Sequence, residues 1–218
     1  MAKKTQKNEL TEMVFILDRS GSMCGLESDT IGGFNSLIEK QKKQEGDCFV
    51  TTVLFSDTMQ TVHDRCKLEA VEKMTDKDYQ TMGCTALYDA IGRTLTHIAS
   101  IHKYARKEDV PAHTIVVIIT DGYENASREY SHAAVKRLIE QKKEEAGWEF
   151  LFIGANIDAA ATAENIGIGR ERAANYKADK AGTAVVFEAL SAPLCACRAS
   201  RPLDESWSEA IEEDCKKR

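Results

Sequence analysis

The sequence predicts an α/β fold on three observations. β-branched apolar runs alternate with amphipathic helical segments along nearly the whole chain, two of those runs end in an aspartate, and no linker-like composition shift interrupts the pattern before about residue 195. The expected architecture is a three-layer α/β/α sandwich, doubly wound around a mostly parallel six-stranded sheet with one antiparallel edge strand. A chain of 218 residues is long enough for one such domain with a full core and short for two. The expected division is a flexible N-terminus over 1–10, one domain over 11–197 and a C-terminal tail, or partly docked helix, over 198–218.

The elements follow in order. "EMVFILD" (12–18) is a continuous apolar run, as in a strand buried on both faces. "SDTIGGFNSLIEKQKKQ" (28–44) carries Ile31, Phe34, Leu37 and Ile38 at helical spacing, and its Gly32-Gly33 pair implies close packing against the sheet. "CFVTTVLFSD" (48–57) reads as a strand, and "TMQTVHDR" (58–65) as an antiparallel edge strand after a tight turn. A charged, helix-compatible patch over 67–79 precedes "TMGCTALYDAIGRTLTHIASIHKY" (81–104), whose stripe of Leu87, Ile91, Leu95, Ile98 and Ile101 predicts a helix. "HTIVVIITDG" (113–122) is the strongest strand. A helix over 127–147 closes at Gly147, and a strand over 148–157 follows. A short helix over 158–168, a last strand over 172–178 and a last helix over 182–194 complete the domain.

Composition narrows the function. Apolar residues make up 43% and charged residues 29%, as in ordinary globular proteins. A net charge of −6 argues against nucleic acid or an anionic membrane as partner. No stretch approaches the roughly 20 apolar residues of a membrane span, and the lysines near the N-terminus precede no apolar core of a secretory signal. A cytoplasmic location is expected, with the seven scattered cysteines reduced and Cys195-Ala-Cys197 a weak zinc motif. The sequon at Asn125-Ala-Ser127 carries no weight there.

In an open parallel sheet, ligands bind at the carboxyl ends of the strands. Asp18 and Asp121 end two strands, and Thr85 opens the helix between them, so all three should converge on one sheet edge. With Ser20 and Ser22 they make a set of hard oxygen donors, suited to Mg²⁺, with Mn²⁺ or Ca²⁺ as alternatives. Zinc would call for His or thiolate, and no histidine falls in these loops.

Asp18-Arg19-Ser20-Gly21-Ser22, Thr85 in "GCTALYDAIG" and Asp121 in "IITDG" together resemble the metal-ion-dependent adhesion site (MIDAS) of von Willebrand factor type A domains. The resemblance covers roughly residues 12–194. It implies that Ser20 and Ser22 bind the metal directly and that Asp18 acts largely through water or by accepting hydrogen bonds. It further implies that Thr85 and Asp121 exchange between direct and water-mediated contact, and that a carboxylate from a protein partner fills the sixth position. A cation with mostly neutral ligands keeps positive charge and attracts that anion. Tyr123, Glu124, Asn125, Cys24, Gly25 and Leu26 would form the rim, with Arg19 facing the ligand or the protein surface. No catalysis is expected.

Simpler roles stand beside these. Ser20 or Ser22 alone could be a helix N-cap, Asp89 a structural hydrogen-bonding group, and Asp57 a turn stabiliser. Cys24 and Cys84 suit positions that need a small residue, or make the site sensitive to oxidation or soft metals. The alternative function is a metal-dependent hydrolase or phosphatase using Asp18 as nucleophile. It lacks the expected second acid, since Ser20 stands two residues on. A nucleotide-binding domain is disfavoured because "IGIGRE" (166–171) follows no strand.

Overall fold

The computed structural model describes residues 10–217, so all but the last residue of the expected flexible N-terminus lies outside the described residues. Strands β1 (Thr11–Asp18), β2 (Cys48–Phe55), β3 (Met59–Lys67), β4 (His113–Thr120), β5 (Glu149–Gly154) and β6 (Ala173–Asn175) form one sheet, ordered β3-β2-β1-β4-β5-β6. Every pairing is parallel except that of β2 with the edge strand β3. The helices are α1 (Glu27–Gln41), α2 (Leu87–Tyr104), α3 (His132–Ala146), α4 (Ala159–Asn165), α5 (Lys180–Ala189), α6 (Ser191–Arg198) and α7 (Glu209–Lys217).

Side-chain alternation along β1 explains its unbroken apolar run. Met13, Phe15 and Leu17 pack with α1 and with the C-terminal helices α5–α7, whereas Val14 and Ile16 pack with α2, α3 and α4. Both faces of the sheet are therefore covered, and a central strand needs apolar residues at every position. The chain leaves β1 toward β2 on one side and returns to β4 on the other. This reversal opens a crevice at the carboxyl ends of β1 and β4.

The other end of β1 buries a charge. Glu12 is fully buried, and its carboxylate accepts from Arg65 Nε at 2.8 Å and lies 2.5 Å from His102 Nε2. Two basic partners offset the cost of removing that carboxylate from water.

Several boundaries differ from expectation, each for a local reason. The 67–79 segment forms only a short 3-10 turn at Leu68–Ala70. Beyond it, Asn35 of α1 holds both backbone groups of Met74, and His63 Nε2 lies 3.1 Å from the Glu72 carbonyl. Tertiary partners thus take the backbone groups that a helix would use. α2 starts at Leu87, just after Thr85 as the stripe implied, and residues 79–86 are spent on contacts with the loop after β1, described below. α3 starts at His132 rather than 127, because the Asp89 carboxylate accepts from the backbone N–H groups of Arg128, Glu129 and Tyr130 at 2.8–2.9 Å. Gly147 closes α3 in the left-handed conformation, φ 63°. Gly33 packs against α5 rather than the sheet: a Cβ there would meet the Phe187 ring at 2.3 Å.

The C-terminal segment is more ordered than a tail. Past α6, Leu203, Trp207 and Ile211 are buried in the same core as β1 and α1. The Trp207 indole N–H donates to the Glu171 carbonyl at 2.9 Å. The buried Arg198 guanidinium donates to the carbonyls of Gln41, Gln44, Glu45 and Gly46, at and beyond the end of α1. Those carbonyls have no partner within the helix, and the helix dipole favours a cation there. The 19-residue stretch Lys180–Arg198 has the length and mean hydropathy (1.2) to cross a membrane, unlike the expectation that no stretch came near. Here Val186, Phe187, Leu190, Leu194 and Cys197 are buried in the domain core.

Replacing Arg198 by Ala removes the charged donor shared by those four carbonyls, of which that of Gln41 belongs to a buried residue. It is expected to lower the free energy of unfolding in urea by about 2–3 kcal/mol. The exposed Glu205→Ala should stay within about 0.5 kcal/mol of the parent protein.

Candidate metal centre

β1 ends at Asp18, which is 1% exposed, and both of its carboxylate oxygens already have donors. Oδ1 accepts from the Ser20 backbone N–H at 2.7 Å, and Oδ2 accepts from the Thr120 hydroxyl at 2.6 Å. Thr120 is the last residue of β4, so this carboxylate ties the ends of two neighbouring strands together. The chain then turns through a 3-10 turn at Gly21–Met23, which brings Ser20 Oγ and Ser22 Oγ to 3.1 Å. The Ser22 hydroxyl donates to Asp121 Oδ1 at 2.5 Å.

Thr85 arrives from a third loop. Its backbone N–H donates to Asn125 Oδ1 at 2.9 Å, and its carbonyl accepts from the Asn125 N–H at 3.0 Å. A Cβ built on Gly122 would lie 3.7 Å from Thr85 Oγ1 and 3.8 Å from Ser22 Oγ, so these hydroxyls face one small space beside Asp121. The five residues singled out in the sequence, Asp18, Ser20, Ser22, Thr85 and Asp121, are therefore together. Ser20, Thr85 and Asp121 are almost fully buried, and Ser22 opens to solvent.

A clasp holds the first loop in place. The buried Tyr79 hydroxyl donates to the Asp18 carbonyl, the Met82 N–H to the Arg19 carbonyl, and the Gly21 N–H to the Gly83 carbonyl. The Ala86 N–H donates to the Ser56 carbonyl, which ties the clasp to the end of β2. Gly83 needs φ 68°, and a Cβ there would meet the Asp57 carboxylate at 2.1 Å.

The donor set fits a hard divalent cation. Burial pushes the carboxyls of both Asp18 and Asp121 above the usual carboxylate range. Hydrogen bonds from Thr120 and Ser20 at Asp18, and from Ser22 at Asp121, oppose that rise, while the Asp18 charge adds to it at Asp121. A cation among these oxygens would relieve the desolvated acids. Among the described residues no three His, Cys, Asp or Glu side chains gather into a metal-binding group, so the chemistry on offer is hydroxyl and carboxylate.

Three rim expectations are corrected, and of the two placements open to Arg19 it takes the one against the protein itself: it is 8% exposed and donates to Gln60 Oε1 on β3 at 2.9 Å. Leu26 is buried in the core. The Glu124 carboxylate turns inward, accepting from the N–H groups of Tyr88, Ala126 and Ser127. Asn125, although exposed, is engaged by Thr85. Asp89 supports the loop before α3, as expected, and Asp57 stands beside Gly83 at the end of β2. Sequence reasoning missed Thr120 and Tyr79. Thr120 precedes Asp121 in "TDG" and was open to notice, whereas nothing near Tyr79 signals its bond to Asp18.

Solved structures share the fold. They include proximal thread matrix protein 1 from the mussel byssus, solved with a zinc-occupied MIDAS motif (13% identity, TM-score 0.58, covering 85% of this chain and 46% of that one). A von Willebrand factor type A protein from Catenulispora acidiphila matches at 17% identity and TM-score 0.59, over 85% of this chain and 43% of that one. A mutant of the PilB minor pilin from Streptococcus sanguinis matches at 13% and 0.61, over 91% and 65%. The chain thus spans only part of the length of each of these proteins. A comparison with curated proteins found no match. The sequence profile of the von Willebrand factor type A domain matches residues 12–188, and the chain belongs to that family.

Proposed function

We propose that this domain is a protein-binding module that takes an acidic side chain of its partner through a divalent cation, Mg²⁺ in the first instance. Ser20, Ser22, Thr85 and Asp121 would hold the cation, and Asp18 would orient the site from behind. One observation carries the reading: three loops distant in sequence bring three hydroxyls and two buried carboxylates to one point at the sheet switch. The bound metal would supply a positive charge only partly neutralised by its ligands, and that charge draws a carboxylate.

The engagement of Asp18 disfavours the hydrolase alternative. A phosphoryl acceptor needs a free carboxylate oxygen in line with phosphorus. Asp18 is 1% exposed, and both of its oxygens are hydrogen-bonded. Type A domains are in general adhesion or protein-binding modules, which agrees with this reading.

Calorimetric titration with MgCl₂ and MnCl₂ tests the site. Ser20→Ala and Asp121→Ala should abolish detectable binding while leaving the circular dichroism spectrum unchanged. Thr120→Val, which removes only the hydroxyl that orients Asp18, should weaken metal binding about 10–100-fold. Parent-like affinity in the Ser20 and Asp121 variants would mean that the ligands lie elsewhere.

A pH dependence follows from the two raised carboxyls. Their folded-state values lie above those of the unfolded chain, so the metal-free fold holds more protons and loses stability as pH rises through that window. Mg²⁺ needs both groups ionised. The gain in melting temperature on adding MgCl₂ should therefore be larger at pH 7.5 than at pH 5, as differential scanning fluorimetry can measure.

A further inference from the structure

Among the described residues, three large apolar side chains stand well exposed: Met82 (47%), Tyr104 (78%) and Tyr123 (60%). Two of them, Met82 and Tyr123, belong to loops that border the candidate metal centre. The Met82 N–H donates to the carbonyl of Arg19, the residue before Ser20, at 2.9 Å. Tyr123 directly follows Gly122, against which the Thr85 and Ser22 hydroxyls lie. Its own hydroxyl accepts from the Asp158 N–H at 3.4 Å, so the ring leans toward the loop after β5.

The two side chains occupy opposite flanks. The loop of Met82 is bonded to the ends of β1 and β2, whereas Tyr123 lies on the β4–β5 side, in the strand order β2-β1-β4-β5. The exposed thiols of Cys24 and Cys84 complete an uncharged rim. The charged groups that could face a ligand are turned away or occupied. Arg19 is held by Gln60, Glu124 by backbone N–H groups, and Glu27 by the Gly25 N–H and the Thr81 hydroxyl. Asp57, beyond Gly83, and Asp158, whose N–H meets the Tyr123 hydroxyl, are exposed acids beside this rim.

Interface centres are depleted of charge and enriched in Tyr and Met, and a flexible thioether adapts to varied apolar partners. We infer that Met82 and Tyr123 determine specificity by gripping apolar side chains on either side of the partner's metal-bound Asp or Glu. The recognised segment is then a single carboxylate between apolar residues. This inference rests on the metal-dependent reading above.

Phage-displayed short peptides with a fixed central Asp or Glu and random flanks, panned on the full chain in MgCl₂ and eluted with EDTA, test it. The expected selection is apolar or aromatic residues on both flanks. Met82→Ser with Tyr123→Ser should weaken the best peptide by about tenfold or more and erase the flank preference, while the affinity for Mg²⁺ measured without peptide stays unchanged. EDTA-sensitive selection with basic or random flanks would overturn the inference and leave the metal-dependent reading standing. The same holds if Mg²⁺ binds and no peptide is enriched. Apolar peptides captured equally well in EDTA would overturn both.

Discussion

The Asp18 carboxylate is the constraint around which the binding edge is arranged. It sits at the end of the central strand, almost free of water, where an unsatisfied charge would be prohibitive. Its two oxygens draw the Ser20 backbone and the Thr120 hydroxyl into fixed positions. The first contact bends the chain so that Ser20 and Ser22 present their hydroxyls to one point. The second aligns the end of β4, which places Asp121 within reach of Ser22. These two bonds fix the start of each ligand loop against the end of its neighbouring strand.

The rest of the edge restricts motion around that anchor. The Tyr79–Ala86 clasp joins the loops after β1 and β2 through the Tyr79 hydroxyl and three main-chain bonds, the latter fixing backbone position whatever the side chains. Glu124 and Asn125 join the loop after β4 to the start of α2. The outcome is a preformed cradle, which reduces the ordering cost of binding a cation and then a partner.

The mostly parallel six-stranded sheet, its antiparallel edge strand and the convergence of the five oxygen-bearing side chains were legible because each rests on a local pattern. Continuous apolar runs mark strands buried on both faces, and a carboxylate or hydroxyl just past such a run has few purely structural uses. The supporting groups were not legible, because their roles exist only across long separations. Tyr79 meets Asp18 across 61 residues, Thr120 meets it across 102, and Arg198 reaches Gln41 across 157. The helix-compatible patch over 67–79 is not helical for the same reason: Asn35 and His63, outside the segment, claim its backbone. Glu124 misled because its residue type suits a binding rim as well as it suits a helix start.

The Arg198 contact also bears on the order in which the domain is made. The carbonyls at and beyond the end of α1, around residues 41–46, stay open to water until the guanidinium at position 198 has been synthesised. Part of the apolar face of α1 likewise waits for Phe187, Leu194 and Trp207. A nascent chain on the ribosome can pair β1 with β2 and pack Phe34 on Phe15 and His63 early, yet the side of α1 that meets α5 stays uncovered until that helix is made. Until then, that side of α1 is exposed apolar surface of the kind that makes incomplete chains prone to aggregate.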